Sequence, residues 1–146
     1  MNIKTIGLGA VCALAVAVPA FAAQPPIIAK PLAVGTMQAT TISATKGAMI
    51  LESIKILPGG NFGWHTHGAP VAVVVTSGTL TVFDPSVNSC TPFKVSKGSS
   101  FVEPANHVHL ARNDGKTPVT LYALYLGLPK PAGANVPAAQ PNGCKA

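Results

Sequence analysis

The chain is poor in charge, and above all in acid. Of 146 residues only four are Asp or Glu and ten are Lys or Arg, so the charged share is 10%, far below the usual quarter. Long solvent-exposed helices and coiled coils need Glu, Lys and Arg in quantity, and this composition excludes them. Aromatic residues are scarce as well, at 5%. The basic residues stand singly, Arg112 is the one arginine, and no rings interleave with them. Nucleic-acid binding requires a basic stripe, preferably with stacking rings, and is rejected. No Ser-His-Asp order, phosphate loop or C-x-x-C element is present.

What is there is apolar residue and punctuation. Hydrophobic residues make up 48%, which rules out disorder of the whole chain. Fourteen glycines and fourteen prolines divide the apolar stretches into short runs. A loop-punctuated, β-rich single domain is the expectation.

Residues 1–22 read as a signal peptide. Lys4 gives a positive n-region, Ile6 to Val18 an apolar h-region, and Ala20-Phe21-Ala22 an A-x-A cleavage signal. The apolar run is shorter than the about 20 residues of a membrane span, and no later run is long enough. The protein is therefore expected to be exported, periplasmic or secreted, with no membrane span. Removing Lys4 leaves nine basic residues against four acidic, a formal charge of +5.

Residues 23–44 are expected to hold an N-terminal arm and a first strand, and 128–146 a Pro/Gly-rich tail over the surface or partly disordered. Between them, in 45–127, lie runs such as AMILESIKIL, VAVVV, TLTVFD, FKVS, SSFVE, HVHLAR and VTLYALYLGL. Each ends in Gly, Pro, Asn, Asp or a Ser/Thr turn. Thr76-Ser77-Gly78 between VAVVV and TLTVFD is a hairpin signal. Eight or so strands at this spacing mean an all-β sandwich or barrel.

The four histidines come as two H-x-H pairs, His65 with His67 and His107 with His109. On a strand, residues i and i+2 share a face, so each pair can aim two imidazoles into one space. A single pair could be accidental; two pairs with no other histidine point to a metal site. Imidazole suits Fe, Zn, Cu and Ni.

The spacing of these residues resembles the cupin superfamily. Its first motif, G-x5-H-x-H-x3-4-E-x6-G, is met by Gly59, His65, His67 and Gly78; its second, G-x5-P-x-G-x2-H-x3-N, by Gly98, Pro104, His109 and Asn113. Asn106 replaces the second-motif glycine, and Asn enters left-handed turns more readily than most residues. The first-motif glutamate is missing, since Val71 and Ala72 stand there. The resemblance covers residues 45–127 and implies a jelly-roll barrel with a divalent metal (Fe, Mn, Zn, Ni or Cu) in its mouth. By position it implies His65, His67 and His109 as ligands, with His107 in the turn before the ligand strand, facing solvent or substrate. Cupins with three histidines and no first-motif glutamate include dioxygenases. The resemblance thus implies a metal-dependent, dioxygenase-like enzyme on a small organic substrate; the rival is a non-enzymatic small-ligand binder with a structural or vestigial metal. Pairing through sheet faces, frequent in the family, makes a homodimer a further expectation.

Five more residues bear on the site or the fold. Glu52 shares its parity with Ile50, Ile54 and Ile56, either as a buried polar residue near the site or on the polar side of a two-sided strand. Glu103 shares a face with Phe101 and is expected to supply the missing carboxylate, to the metal or by hydrogen-bonding a ligand histidine; the alternative is a bulge that turns it to solvent. Trp64 alternates with the histidines and should point away from them. Cys90 and Cys144 remain after export, in a compartment where disulfides persist, and are expected to bond and pin the tail to the barrel.

Overall fold

A computed structural model describes residues 29–129 and 134–146; the signal-peptide reading of residues 1–22 lies outside them. Among the described residues there are nine strands and a 3-10 turn over Asn88–Cys90. The strands are β1 (Ala48–Ile56), β2 (His65–Thr66), β3 (Val71–Ser77), β4 (Thr79–Phe83), β5 (Phe93–Ser96), β6 (Ser100–Glu103), β7 (Leu110–Arg112), β8 (Val119–Leu128) and β9 (Val136–Pro137). No helix among them is long and apolar enough to cross a membrane.

The strands form two facing antiparallel layers. One has the order β1-β8-β3-β6, the other β5-β4-β7. The short pair β2-β9 extends the second layer, because His65 and His109 bridge β2 to the residue just before β7. Alternation sets the inner faces. In β3 Val71, Val73 and Val75 are buried while Ala72 and Val74 are not, and in β8 Val119, Leu121, Ala123 and Tyr125 are buried. They meet Leu80 and Val82 of β4, Val95 of β5 and Ala111 of β7 in one core. The all-β jelly-roll expectation holds.

One turn is corrected. VAVVV and TLTVFD do not form a hairpin: β3 and β4 belong to different layers and do not pair. Gly78 alone separates them, at φ 74, and this left-handed residue swings the chain across the barrel edge. Pro118 O and Val119 would lie about 3.0 Å from a Cβ placed there. β4 pairs with β5 instead, through the longer connection that holds Cys90.

The arms are partly tied down. Thr36 bridges Ser99, and the first strand begins at Ala48. Leu32 and Ala33 border a groove on the outer face of the β1-β8-β3-β6 layer, with Leu51, Val74, Tyr122 and Leu124. At the other end the tail returns to the barrel, where β9 pairs with β2 and Cys144 is joined to Cys90, Cα atoms 5.3 Å apart.

Candidate metal centre

Three histidines converge at one end of the barrel. His65 and His67 flank Thr66 on β2, and both are buried while Thr66 is half-buried. His109 is aligned opposite His65 by two backbone hydrogen bonds, His65 N–H to His109 O at 3.0 Å and His109 N–H to His65 O at 2.9 Å. Asn106 sets the approach of the second motif. It takes φ 62, the left-handed conformation expected in place of glycine, and its N–H donates to His67 O at 2.7 Å. The ring centroids of the three histidines lie 4.4–5.0 Å apart pairwise, and one nitrogen from each falls within 4.8 Å of the others.

Backbone carbonyls fix which nitrogens face inward. His65 Nδ1 is 2.9 Å from Gly63 O, His67 Nδ1 is 2.7 Å from Ala134 O, and His109 Nδ1 is 3.1 Å from His107 O. A carbonyl only accepts, so each Nδ1 carries a hydrogen, and each Nε2 is left to take a metal ion or, in a charged ring, a second proton. His67 Nε2 and His109 Nε2 are buried without a hydrogen-bond partner of good geometry. Buried acceptors left in this state are rare, and a tautomer locked from behind is how proteins present imidazole to a metal. The residues present fit a divalent transition ion.

Glu103 faces the same point. β6 pairs with β3 so that Glu103 lies opposite buried Val71, and Phe101 opposite Val73, which turns both inward. Its Oε2 is 3.2 Å from His67 Nε2 and its Oε1 3.2 Å from His109 Nε2. Burial pushes its carboxyl up, but His109 and His67 overcome this and hold it at about 2. For His109 burial pulls the ring down, and the Glu103 carboxylate outweighs it, raising the imidazole above 6.5. His65, desolvated and beside the other imidazoles, is lowered.

Glu52 and His107 stand one step back. Glu52 lies on the inner side of β1 and accepts a long hydrogen bond, 3.4 Å, from the Tyr125 hydroxyl. Tyr125 packs edge-on against His67, centroids 5.3 Å apart. Burial, then Glu52 and Glu103, push the Tyr125 phenol up, so it remains a donor. The His107 ring is outside the cluster: its Nδ1 is 3.0 Å from Ser86 Oγ, which donates to Asp84 at 2.6 Å. Only its carbonyl serves the site, through His109. Trp64 points away and packs edge-on against Phe83.

Sequence reasoning did not find Tyr125 or the tail residues. The alternation of β8, with 119, 121, 123 and 125 on one side, was a sufficient signal for Tyr125. Nothing in a Pro-rich tail marks the Ala134 carbonyl. Beside the histidines, Ile54, Val73, Leu80, Leu121 and Asn135 line a small cavity of about 30 Å³.

The architecture is a two-layered antiparallel β-barrel with three buried histidines converging at one end, placed so that they could hold a metal ion. The family model described as "Cupin domain" matches residues 53–125, half of the chain, and the protein belongs to that family. No curated protein matches the sequence. Among solved structures it is similar to the polyketide cyclase RemF from Streptomyces resistomycificus, at 13% identity and TM-score 0.53, covering 66% of this chain and 64% of that one. It is also similar to the DMSP lyase DddQ from Ruegeria pomeroyi DSS-3, at 17% and 0.53, covering 64% and 44%. A third is BH2720 from Bacillus halodurans, at 23% and 0.51, covering 60% and 69%. The chain spans less than two thirds of the first two structures, and at these identities the likeness shows the shared fold.

Proposed function

We propose that this protein is an exported, metal-dependent cupin enzyme acting on a small organic substrate, with oxygenase chemistry the reading to test first. The observation that carries it is the trio of buried histidines, each ring held through Nδ1 by a backbone carbonyl and each offering a nitrogen within 4.8 Å of the others. His65, His67 and His109 would hold the ion, and Glu103 would complete the set from β6. A divalent ion held there would supply polarisation of a substrate oxygen and, if it were iron, activation of dioxygen. The chain's own residues do the rest. Ile54, Val73, Leu80 and Leu121 give the histidines an apolar wall that limits the approach of water. Tyr125, its hydroxyl hydrogen directed to Glu52, leaves its oxygen as an acceptor at the cavity wall. The Cys90–Cys144 bond supports export, since such bonds persist in oxidising compartments.

Elemental analysis of natively purified protein, followed by oxygen-uptake assays on small carbonyl and phenolic compounds, tests the reading. One redox-active metal per chain with substrate-dependent oxygen uptake supports it. A stoichiometric metal with no turnover on any compound leaves the non-enzymatic binder. A protein isolated metal-free, unable to take up added Fe, Mn, Co or Zn, defeats both.

A second copy of the chain is the proposed partner on the outer face of the β1-β8-β3-β6 layer. Met49 and Leu51 are 71% and 55% exposed there, next to Val74, Tyr122 and Leu124, with Lys55 the only charged residue on the outward side of β1. An apolar surface of this kind favours burial against its own copy. Sedimentation velocity reads the outcome directly: a dimer is expected, converted to monomer by Leu51→Lys.

A further inference from the structure

The metal centre has a wall that comes from outside the matched cupin segment. The tail crosses the mouth of the barrel from Ala134 to Cys144 and is held at four successive places. Ala134 O accepts from His67 Nδ1 at 2.7 Å. Val136 and Pro137 pair with Thr66 and His65. Ala138 N–H donates to Trp64 O at 2.9 Å. Cys144, 4% exposed, is bonded to Cys90. Asn135, between the first two anchors, lines the cavity.

We propose that residues 134–144 form a disulfide-anchored strap that completes the metal site, the Ala134 carbonyl fixing the His67 imidazole and Asn135 closing the cavity. This rests on the metal-centre reading above. The logic is local. His65 and His109 draw their Nδ1 acceptors from two residues earlier in the chain, Gly63 and His107. His67 reaches 67 residues along the chain for its acceptor. Loss of the strap therefore frees one imidazole of three to rotate and change tautomer, and opens the cavity beside it. The strap itself is weakly held: β9 is two residues long, and Pro137 has no N–H to give to the pairing. The bond to Cys90, in the β4–β5 connection of the barrel, keeps it seated. Metal retention is thereby coupled to the state of a disulfide remote in sequence from every histidine.

Removing an outer hydrogen-bond partner of a ligand histidine typically weakens metal affinity 10–100-fold. The test uses Co²⁺ as probe on the full chain and follows its loss to excess EDTA. Wild type is compared with the Cys90→Ser/Cys144→Ser variant, with Ala138→Pro, and with wild type reduced by a water-soluble trialkylphosphine and then desalted without air. In that reduction the phosphine takes an oxygen from water and becomes its oxide, and the water's two hydrogens end on the two cysteine sulfurs. Ala138→Pro deletes the N–H that binds Trp64 O while leaving the disulfide in place, and together with the reduced wild type it decides the matter if the serine variant does not fold. Release about tenfold faster after reduction, and faster in Ala138→Pro, is the expected result. Long-range ¹H–¹⁵N spectra of the Zn²⁺ form should show the His67 Nδ1–H as a hydrogen-bonded, slowly exchanging proton only while the strap is seated, with the His65 and His109 Nδ1–H protons unchanged, a selectivity that a merely stabilising tail would not give. Tight Co²⁺ binding with equal release from all forms overturns the strap and leaves the metal centre standing. Failure of the disulfide-bonded wild type to take up Co²⁺ overturns both.

Discussion

Glu103 on β6 sits directly across from Val71 on β3. Position 71, seven residues before Gly78, is where the cupin pattern places its glutamate. The carboxylate thus arrives from the neighbouring strand, one rung of the sheet away, on the same inner face. Its two oxygens reach His67 and His109 at 3.2 Å each. A shift of a carboxylate to the paired residue conserves its inward direction because paired residues in a sheet project to the same side.

Glu103→Gln should therefore weaken metal binding at least about tenfold, the range seen when partners of a metal site are removed. The melting temperature of the metal-free protein is the control for folding. Competition with a chromophoric chelator measures the change. Affinity equal to wild type, together with loss of metal in His109→Ala, assigns the site to histidines alone.

Without metal, Glu103 and His109 make an ion pair whose contribution to stability depends on pH. Glu103 is held at about 2 against an ordinary 4.5, so its contribution is present above 4.5 and is lost as pH falls toward 2. His109 is raised above 6.5, so its contribution is complete below 6.5 and is lost as pH rises through its folded value. The lowering of His65 by burial acts in the opposite sense, losing stability as pH falls below 6.5. The Glu103–His109 part is thus fullest between pH 4.5 and 6.5. Urea unfolding of the metal-free protein from pH 3 to 9 should show this maximum shrink in Glu103→Gln relative to wild type. Metal binding runs the other way, since the raised His109 must lose its proton first, and should weaken as pH falls toward 6.

Asn113 is a structural member of the second motif. It is 1% exposed, donates to Ile56 O at 3.0 Å and Thr117 O at 2.8 Å, and accepts from Gly115 N–H at 2.9 Å. Asn113→Ala leaves these backbone groups unpaired and should destabilise the barrel by about 3 kcal/mol. The midpoint of urea unfolding falls, while metal affinity of the folded fraction holds.

The histidine trio was legible because its information is local: i, i+2 spacing on a strand and two motifs in order. Glu103 was legible for the same reason, from its parity with Phe101. The separation of β3 from β4 was not. Thr76-Ser77-Gly78 resembles a hairpin turn in sequence, and only the sheet order reveals that a single left-handed glycine carries the chain between layers. The tail was read as a surface segment because proline and glycine conceal pairing. A two-residue strand carries no period, and the atom that matters, Ala134 O, is one every residue possesses. Phe62 is 38% exposed and sits beside His65, a position that its aromatic character alone does not mark.

The Cys90–Cys144 bond closes a separation of 54 residues. Most of its stabilisation arises in the unfolded chain, where it forbids extended states, and the chain-entropy model puts this at about 4 kcal/mol as an upper value. The native contacts of the tail are few and its strand short, so little packing compensates when the bond is absent. Cys90→Ser/Cys144→Ser should lower the unfolding free energy of the metal-free protein by a large part of that amount. The urea slope should rise, because an uncrosslinked unfolded chain exposes more surface. Peptide mass mapping without reduction should recover Cys90 and Cys144 in one linked species. Two separately alkylated peptides from the native protein, or an unchanged urea midpoint in the double variant, would show that the tail is held without the bond.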